Sequence, residues 1–274
     1  MLQEVLVGMV QIVGIMLAIS IALFISREAL TTTLAQLRSR LQITGPVLVV
    51  LGIALLINRL MRQSEEDGIF PMTQVIRRLE GDLIYVFQDI ETTRLTMYFS
   101  FVYVYGYAYI LIFPAIAYFV LSNTRMFRRL LTAYTLNYLI GLSVYLLVGA
   151  YGPRQFMYPE EMGVVLYDFG PEYAHVTTEV NRNTNVFPSL HTSLAATVGI
   201  FAFYTRSEYP YWFVVALILS ISVIISTMYL GIHWAIDVVA GLALAAFCVW
   251  ASDQLVGRWT LSDIVDRTRE ALDR

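Results

Sequence analysis

The sequence predicts an all-α, polytopic transmembrane helical bundle, and three observations carry that prediction. Hydrophobic residues fill 58% of the 274 positions and charged residues only 14%, with a mean hydropathy of +0.64. Soluble domains lie nearer half and a quarter. The apolar residues also gather into seven blocks of about spanning length, a span needing roughly 20 such residues. Backbone polar groups in lipid must be satisfied within their own segment, so these blocks read as helices and not as open strands.

The blocks run Val5–Ile25, Ile43–Leu60, Met97–Leu121, Leu130–Ala150, Leu190–Tyr204, Tyr211–Leu230 and Trp234–Val256. The fifth is short and carries Thr192 and Ser193 near its start, so one end is partly polar. Tyr98, Tyr209, Tyr211, Trp212 and Trp259 near block ends suit interfacial anchoring. The first block lacks the basic start and small-residue exit of a cleaved signal and runs into Ser26-Arg27-Glu28, so it reads as a retained span. Cys248 is the single cysteine, which excludes a disulfide within the chain.

All 18 basic residues are arginine. Seven spans alternate the connections between two sides. Eleven arginines (27, 38, 40, 125, 128, 129, 206, 258, 267, 269 and 274) fall on one side, in short connections and the tail. Seven (59, 62, 77, 78, 94, 154 and 182) fall on the other, in two longer loops. Positive residues in short loops favour the cytoplasm. A multi-pass protein with its N-terminus outside and its C-terminus cytoplasmic is therefore expected, and the plasma membrane is its expected location.

Two segments then lie outside. In Met61–Thr96, Val75, Leu79, Leu83, Val86 or Phe87, and Ile90 share one helical stripe, with Arg77, Arg78, Glu80, Asp82 and Asp89 off it. That pattern fits an amphipathic helix in the membrane interface, and equally a helix packed over the span ends. Tyr151–Ser189 is rich in glycine and proline and lacks periodicity; long irregular loops of this kind are often functional.

The chemistry-bearing residues lie in or beside that loop. There are three histidines: His175, His191 and His233. His191 follows Phe187-Pro188-Ser189-Leu190 and opens an apolar run, with Ser189 placed as N-cap. Free N–H groups in a first helical turn make an anion site, which a histidine there would face. His233 stands four residues before Asp237, a spacing that brings two side chains together on one helix face. A carboxylate on one imidazole nitrogen fixes the tautomer and leaves the other as nucleophile or base. Span counting brings His191, His233 and Arg154 to one face, and arginine is a bidentate phosphate donor.

Pro188-Ser189-Leu190-His191 and Ser226-x6-His233-x3-Asp237 resemble the second and third motifs of the type 2 phosphatidic acid phosphatase superfamily. The matching stretch runs from about Leu130 to Trp250. The resemblance implies a lipid phosphatase or phosphotransferase working through a phosphohistidine. His233 would be nucleophile, Asp237 its orienter, His191 the general acid, and Ser189 a phosphate contact. The family's first motif is Lys-x6-Arg-Pro, whereas here Arg154 follows Pro153 and Leu147 stands at the lysine position. The third motif usually opens Ser-Arg, and position 227 is threonine. Arg182, nine residues before His191, is expected to supply the missing charge. The Thr227 variant with Tyr-Leu-Gly before the histidine is similar to the branch that includes inositol phosphorylceramide synthases.

The expected organisation is 1–96 for the N-terminal spans and interfacial helix, 97–256 for the catalytic bundle and 257–274 for a cytoplasmic tail. The expected partners are a phospholipid or polyprenyl phosphate and the bilayer, with no cofactor, metal or nucleic acid; oligomeric state stays open. Two other readings compete. His175, His191, His233 and Asp237 have acceptable zinc-ligand chemistry, without a His-Glu-x-x-His spacing. A degenerate site could also bind or move phosphorylated lipids without turnover.

Overall fold

Each apolar block is a helix in the computed structural model, which describes residues 2–61, 68–157 and 185–257. The blocks correspond to α1 (Leu2–Phe24), α3 (Leu37–Met61), α6 (Thr93–Phe101) continued by α7 (Tyr107–Val120), α8 (Arg125–Leu147), α10 (Leu190–Tyr204), α11 (Pro210–Tyr229) and α12 (Ala235–Leu255). A π-helical turn at Val102–Gly106 joins α6 to α7. Six of these spans are long and apolar enough to cross a membrane.

The exception is α10, whose 15 residues rise only about 22 Å. It packs against α7, α8, α11 and α12, so it is surrounded by protein. That enclosure lets Thr192, Ser193 and Thr197 sit at 0% exposure without facing lipid. The Ser193 hydroxyl donates to Asn137 Oδ1, and Asn137 Nδ2 donates to Ala133 O at 2.8 Å and Thr197 Oγ1 at 3.3 Å. By contrast α1 packs mainly on α7 and α3 on α8, with only 11% and 17% of their apolar windows buried.

A helix the apolar pattern did not reveal, α2 (Arg27–Ala35), links α1 to α3, with Ser26 Oγ accepting from Ala29 N at 3.1 Å. Three arginines, Arg40 and Arg129 buried and Arg125 exposed, close the end of the bundle remote from the histidines. Arg40 donates to Phe119 O and Leu121 O at 2.7 and 2.6 Å, satisfying the carbonyls that α7 leaves open. Arg125 and Arg129 both pair with Asp253, at 3.2 and 3.3 Å, tying the start of α8 to the end of α12.

At the histidine end, β1 (Phe70–Pro71) runs parallel to β2 (Val148–Gly149). A Cβ on Gly68 would lie 2.2 Å from Gly149 N, so only glycine permits this approach. The single amphipathic helix expected over residues 75–90 is instead two, α4 (Thr73–Glu80) and α5 (Leu83–Asp89). Gly81 stops the first at φ +60°, a conformation that costs other residues strain, and the Arg77 guanidinium bonds its carbonyl. Ile76 and Ile84 are the apolar residues these helices bury. The stripe Val75, Leu79, Leu83, Val86 and Ile90 faces outward and exposed, so it does not pack over the span ends.

Candidate active site

The site forms where three chain crossings are stitched together by backbone bonds. Ser189 N donates to Asp237 O at 3.0 Å, fastening the start of α10 to the start of α12. Arg154 N, in the short helix α9 (Pro153–Met157), donates to Gly231 O at 2.9 Å. Trp234 Nε1 donates to Tyr151 O at 2.9 Å. Glycines allow these approaches: a Cβ on Gly152 would lie 2.3 Å from Ile232 O, and one on Gly241 would lie 2.5 Å from Ser189 O. Tyr145 adds a further tie, donating its hydroxyl to Pro188 O at 3.0 Å.

The expected N-cap is present. Ser189 is fully buried, and its Oγ accepts from Thr192 N at 3.2 Å. His191 is then the second residue of α10, and its ring centroid lies 6.1 Å from that of His233. Span counting thus placed the two histidines correctly at one end of the bundle. Arg154 is buried, and its amide is tied to Gly231 O, two residues before His233. Arg182 and His175 lie outside the described residues.

His233 and Asp237 meet, but not as neighbours on a helix face. His233 precedes Trp234, the N-cap of α12, and lies in the turn that links α11 to α12. Its amide and that of Ile232 both donate to Thr227 O at 3.0 Å. Asp237 is the third residue of α12 and folds back, so that its Oδ2 accepts from Trp234 N at 2.8 Å. The same oxygen lies 3.6 Å from His233 Nδ1, beyond hydrogen-bond length but within ion-pair range. The pairing therefore comes from a capping carboxylate, not from i,i+4 geometry along a helix. Both residues are essentially inaccessible, and neither ring nitrogen of His233 has a hydrogen-bond partner among the described residues. A buried imidazole with two unsatisfied nitrogens is costly unless a ligand or a reaction uses it.

Two of the departures from the family motifs have a clear geometry. Thr227 is buried in α11 and bonds Ile224 O at 2.8 Å, so its side chain serves its own helix. Leu147 ends α8 and is exposed.

Sequence reasoning missed three contributors. Tyr103 and Tyr107 pack on His191 with ring centroids 4.6 and 4.3 Å away. Tyr103 lies within the π-helical turn and Tyr107 directly follows it, a geometry frequent at functional sites. A signal existed: Tyr103, Tyr105, Tyr107 and Tyr109 crowd the middle of a span, where each hydroxyl needs a partner. The third contributor is Glu80, whose carboxylate accepts from Ala235 N at 2.9 Å and Ile236 N at 3.2 Å. Nothing in its local sequence marks it, because the contact spans 155 residues.

The PAP2 superfamily model matches residues 76–251. The chain belongs to the PAP2 superfamily. The match confirms the resemblance read from the two motifs and extends it upstream of Leu130, to α4 and the tyrosine-rich span. Membership carries phosphatase-type, lipid-related activity in general terms, and the six apolar spans mark an integral membrane protein. No curated protein and no solved structure matches the chain.

Proposed function

We propose that this PAP2 protein hydrolyses or transfers lipid-linked phosphate through a phosphohistidine formed on His233, at the extracytoplasmic face. The observation that carries the reading is the approach of His191 and His233 to 6.1 Å between ring centroids, with Asp237 behind only one of them. That asymmetry separates their roles. The carboxylate 3.6 Å from Nδ1 favours a proton on that nitrogen and leaves Nε2 with its lone pair. His233 Nε2 attacks phosphorus as the bond to the lipid oxygen breaks, and His191 gives that oxygen its proton. Water or an alcohol then attacks the phosphohistidine, returns a proton to His191 and frees His233. Such transfer depends on positioning and electrostatics more than on elaborate covalent machinery.

Arg154, Arg182 and Ser189 are assigned to the phosphate. The Ser189 oxygen already accepts from Thr192 N, which leaves its proton to donate. Each arginine contact is worth about 1.5–3 kcal/mol. The substrate is a phospholipid or polyprenyl phosphate. The resemblance to the inositol phosphorylceramide synthase branch favours an alcohol on a second lipid as acceptor. The arginine distribution supports an outer site and a cytoplasmic C-terminus.

Purified protein in detergent, given a panel of lipid phosphates, tests the reading when free phosphate and new lipid products are both followed. His233→Ala is expected to abolish both, and full activity in that variant would sink the mechanism. Arg182→Ala should lower turnover of a good substrate more than twofold.

A further inference from the structure

We propose that Glu80 is a positioning residue for the reaction above: from α4 it caps the first turn of α12 and keeps Asp237 on His233. The inference rests on the proposed function for its kinetic consequence and on the hydrogen bonds for its structural one. The first N–H groups of a helix have no partner within it. In α12, Trp234 N goes to Asp237 Oδ2 at 2.8 Å, and Ala235 N and Ile236 N go to the two oxygens of Glu80 at 2.9 and 3.2 Å. Two carboxylates thus divide three donors. Both also lie at the positive end of the helix dipole, which favours them.

The division matters because Asp237 has a second task. Its Oδ2 is also the oxygen 3.6 Å from His233 Nδ1, and its Oδ1 is buried with no hydrogen-bond partner. Without Glu80, Ala235 N and Ile236 N would be left open, with Asp237 the nearest carboxylate in the same turn. Their desolvation cost would draw that carboxylate toward them and away from the imidazole. Glu80 therefore acts on His233 through Asp237.

The carboxylate is delivered by a well-anchored element. Ile76 and Ile84 pack with Trp234, Ala150 and Met157 in one buried cluster. Tyr151 N donates to Thr73 Oγ1 at 3.0 Å, and Met72 N to Gly149 O at 2.9 Å. Glu80 sits at the last turn of this helix, directly before the stop at Gly81.

The test compares Glu80→Ala, Glu80→Gln and Glu80→Asp in the full-length protein. Three readouts are followed: kcat and KM on a lipid phosphate, thermal midpoint in detergent, and amide exchange at residues 234–238. Glu80→Ala is expected to lower kcat at least tenfold with KM within twofold, and to speed exchange at Ala235 and Ile236. Glu80→Gln keeps one acceptor oxygen and should fall between it and wild type, and Glu80→Asp should recover part of the loss. A kcat within twofold of wild type in Glu80→Ala overturns the proposal. If that variant does not fold, Glu80→Gln decides: a several-fold loss of kcat at unchanged midpoint supports the role, and unchanged kcat overturns it. If wild-type protein turns over no lipid phosphate, the proposed function fails by itself. Exchange then judges the cap: faster exchange in the variants supports it and unchanged exchange overturns it.

Discussion

The two histidines are held in opposite ways. His233 sits in a polar, hydrogen-bonded turn: its amide is fixed to Thr227 O, Asp237 lies behind its ring, and Trp234 is tied to Tyr151. His191 is held by shape, on the first turn of a buried helix with the rings of Tyr103 and Tyr107 against it. The difference fits the work proposed for each. A nucleophile needs a set tautomer and a set direction, which hydrogen bonds and a carboxylate supply. A proton donor needs its ring plane kept in place while it gains and loses a proton, and aromatic faces tolerate both states.

Mutations that strike one side should therefore have different signatures from those on the other. The largest effect is expected at the carboxylate: Asp237→Asn should lower kcat about 10³-fold with little change in KM, in steady-state assays on a lipid phosphate. Retention of more than a tenth of wild-type kcat would mean that Asp237 serves only as a helix cap.

Gly241→Ala should damage both sides together, because its Cβ would press on Ser189 O at 2.5 Å and on Thr192 Cβ at 3.1 Å, where α10 meets α12. Overpacking of this kind costs about 1–3 kcal/mol, to be read as a lower thermal midpoint alongside reduced kcat. An unchanged midpoint would contradict the close approach.

On the aromatic side the effects should be smaller. Tyr107→Ala removes a ring contact worth about 0.5–1.5 kcal/mol, which corresponds to a roughly twofold to tenfold loss in kcat. Tyr103→Phe keeps the ring and should stay within about twofold of wild type if stacking is what matters. A large loss in Tyr103→Phe would instead assign its hydroxyl a direct role, and activity measured beside Tyr103→Ala separates the two. The smallest effect is expected far from either histidine. Ile15→Ala on the exposed face of α1 should leave kcat and KM unchanged.

Much of this protein was legible in the sequence because membrane helices are specified by local composition. All seven apolar blocks became helices, with α10 beginning at Leu190 behind the Ser189 cap as its residues indicated. The histidine motifs were equally readable as motifs, since Ser189 with His191 and His233 with Asp237 stand in short runs of chain. What periodicity could not supply was contact. The stripe from Val75 to Ile90 proved to be the exposed face of two helices, because a 3.6 period says which residues align but not what covers them. The spacing of His233 and Asp237 brought them together by a capping turn that the number four does not reveal.

The sequence by itself determined the helical spans, the family motifs and, through span counting, the shared end of the two histidines, because composition and short runs of chain carry all three. Only the tertiary structure decided what surrounds that pair. Tyr103 and Tyr107 reach His191 from a span more than 80 residues upstream, and Glu80 reaches Ala235 from 155 residues away. Contacts at such separations leave no local pattern; they arise when packing fixes which helix ends share one face of the bundle.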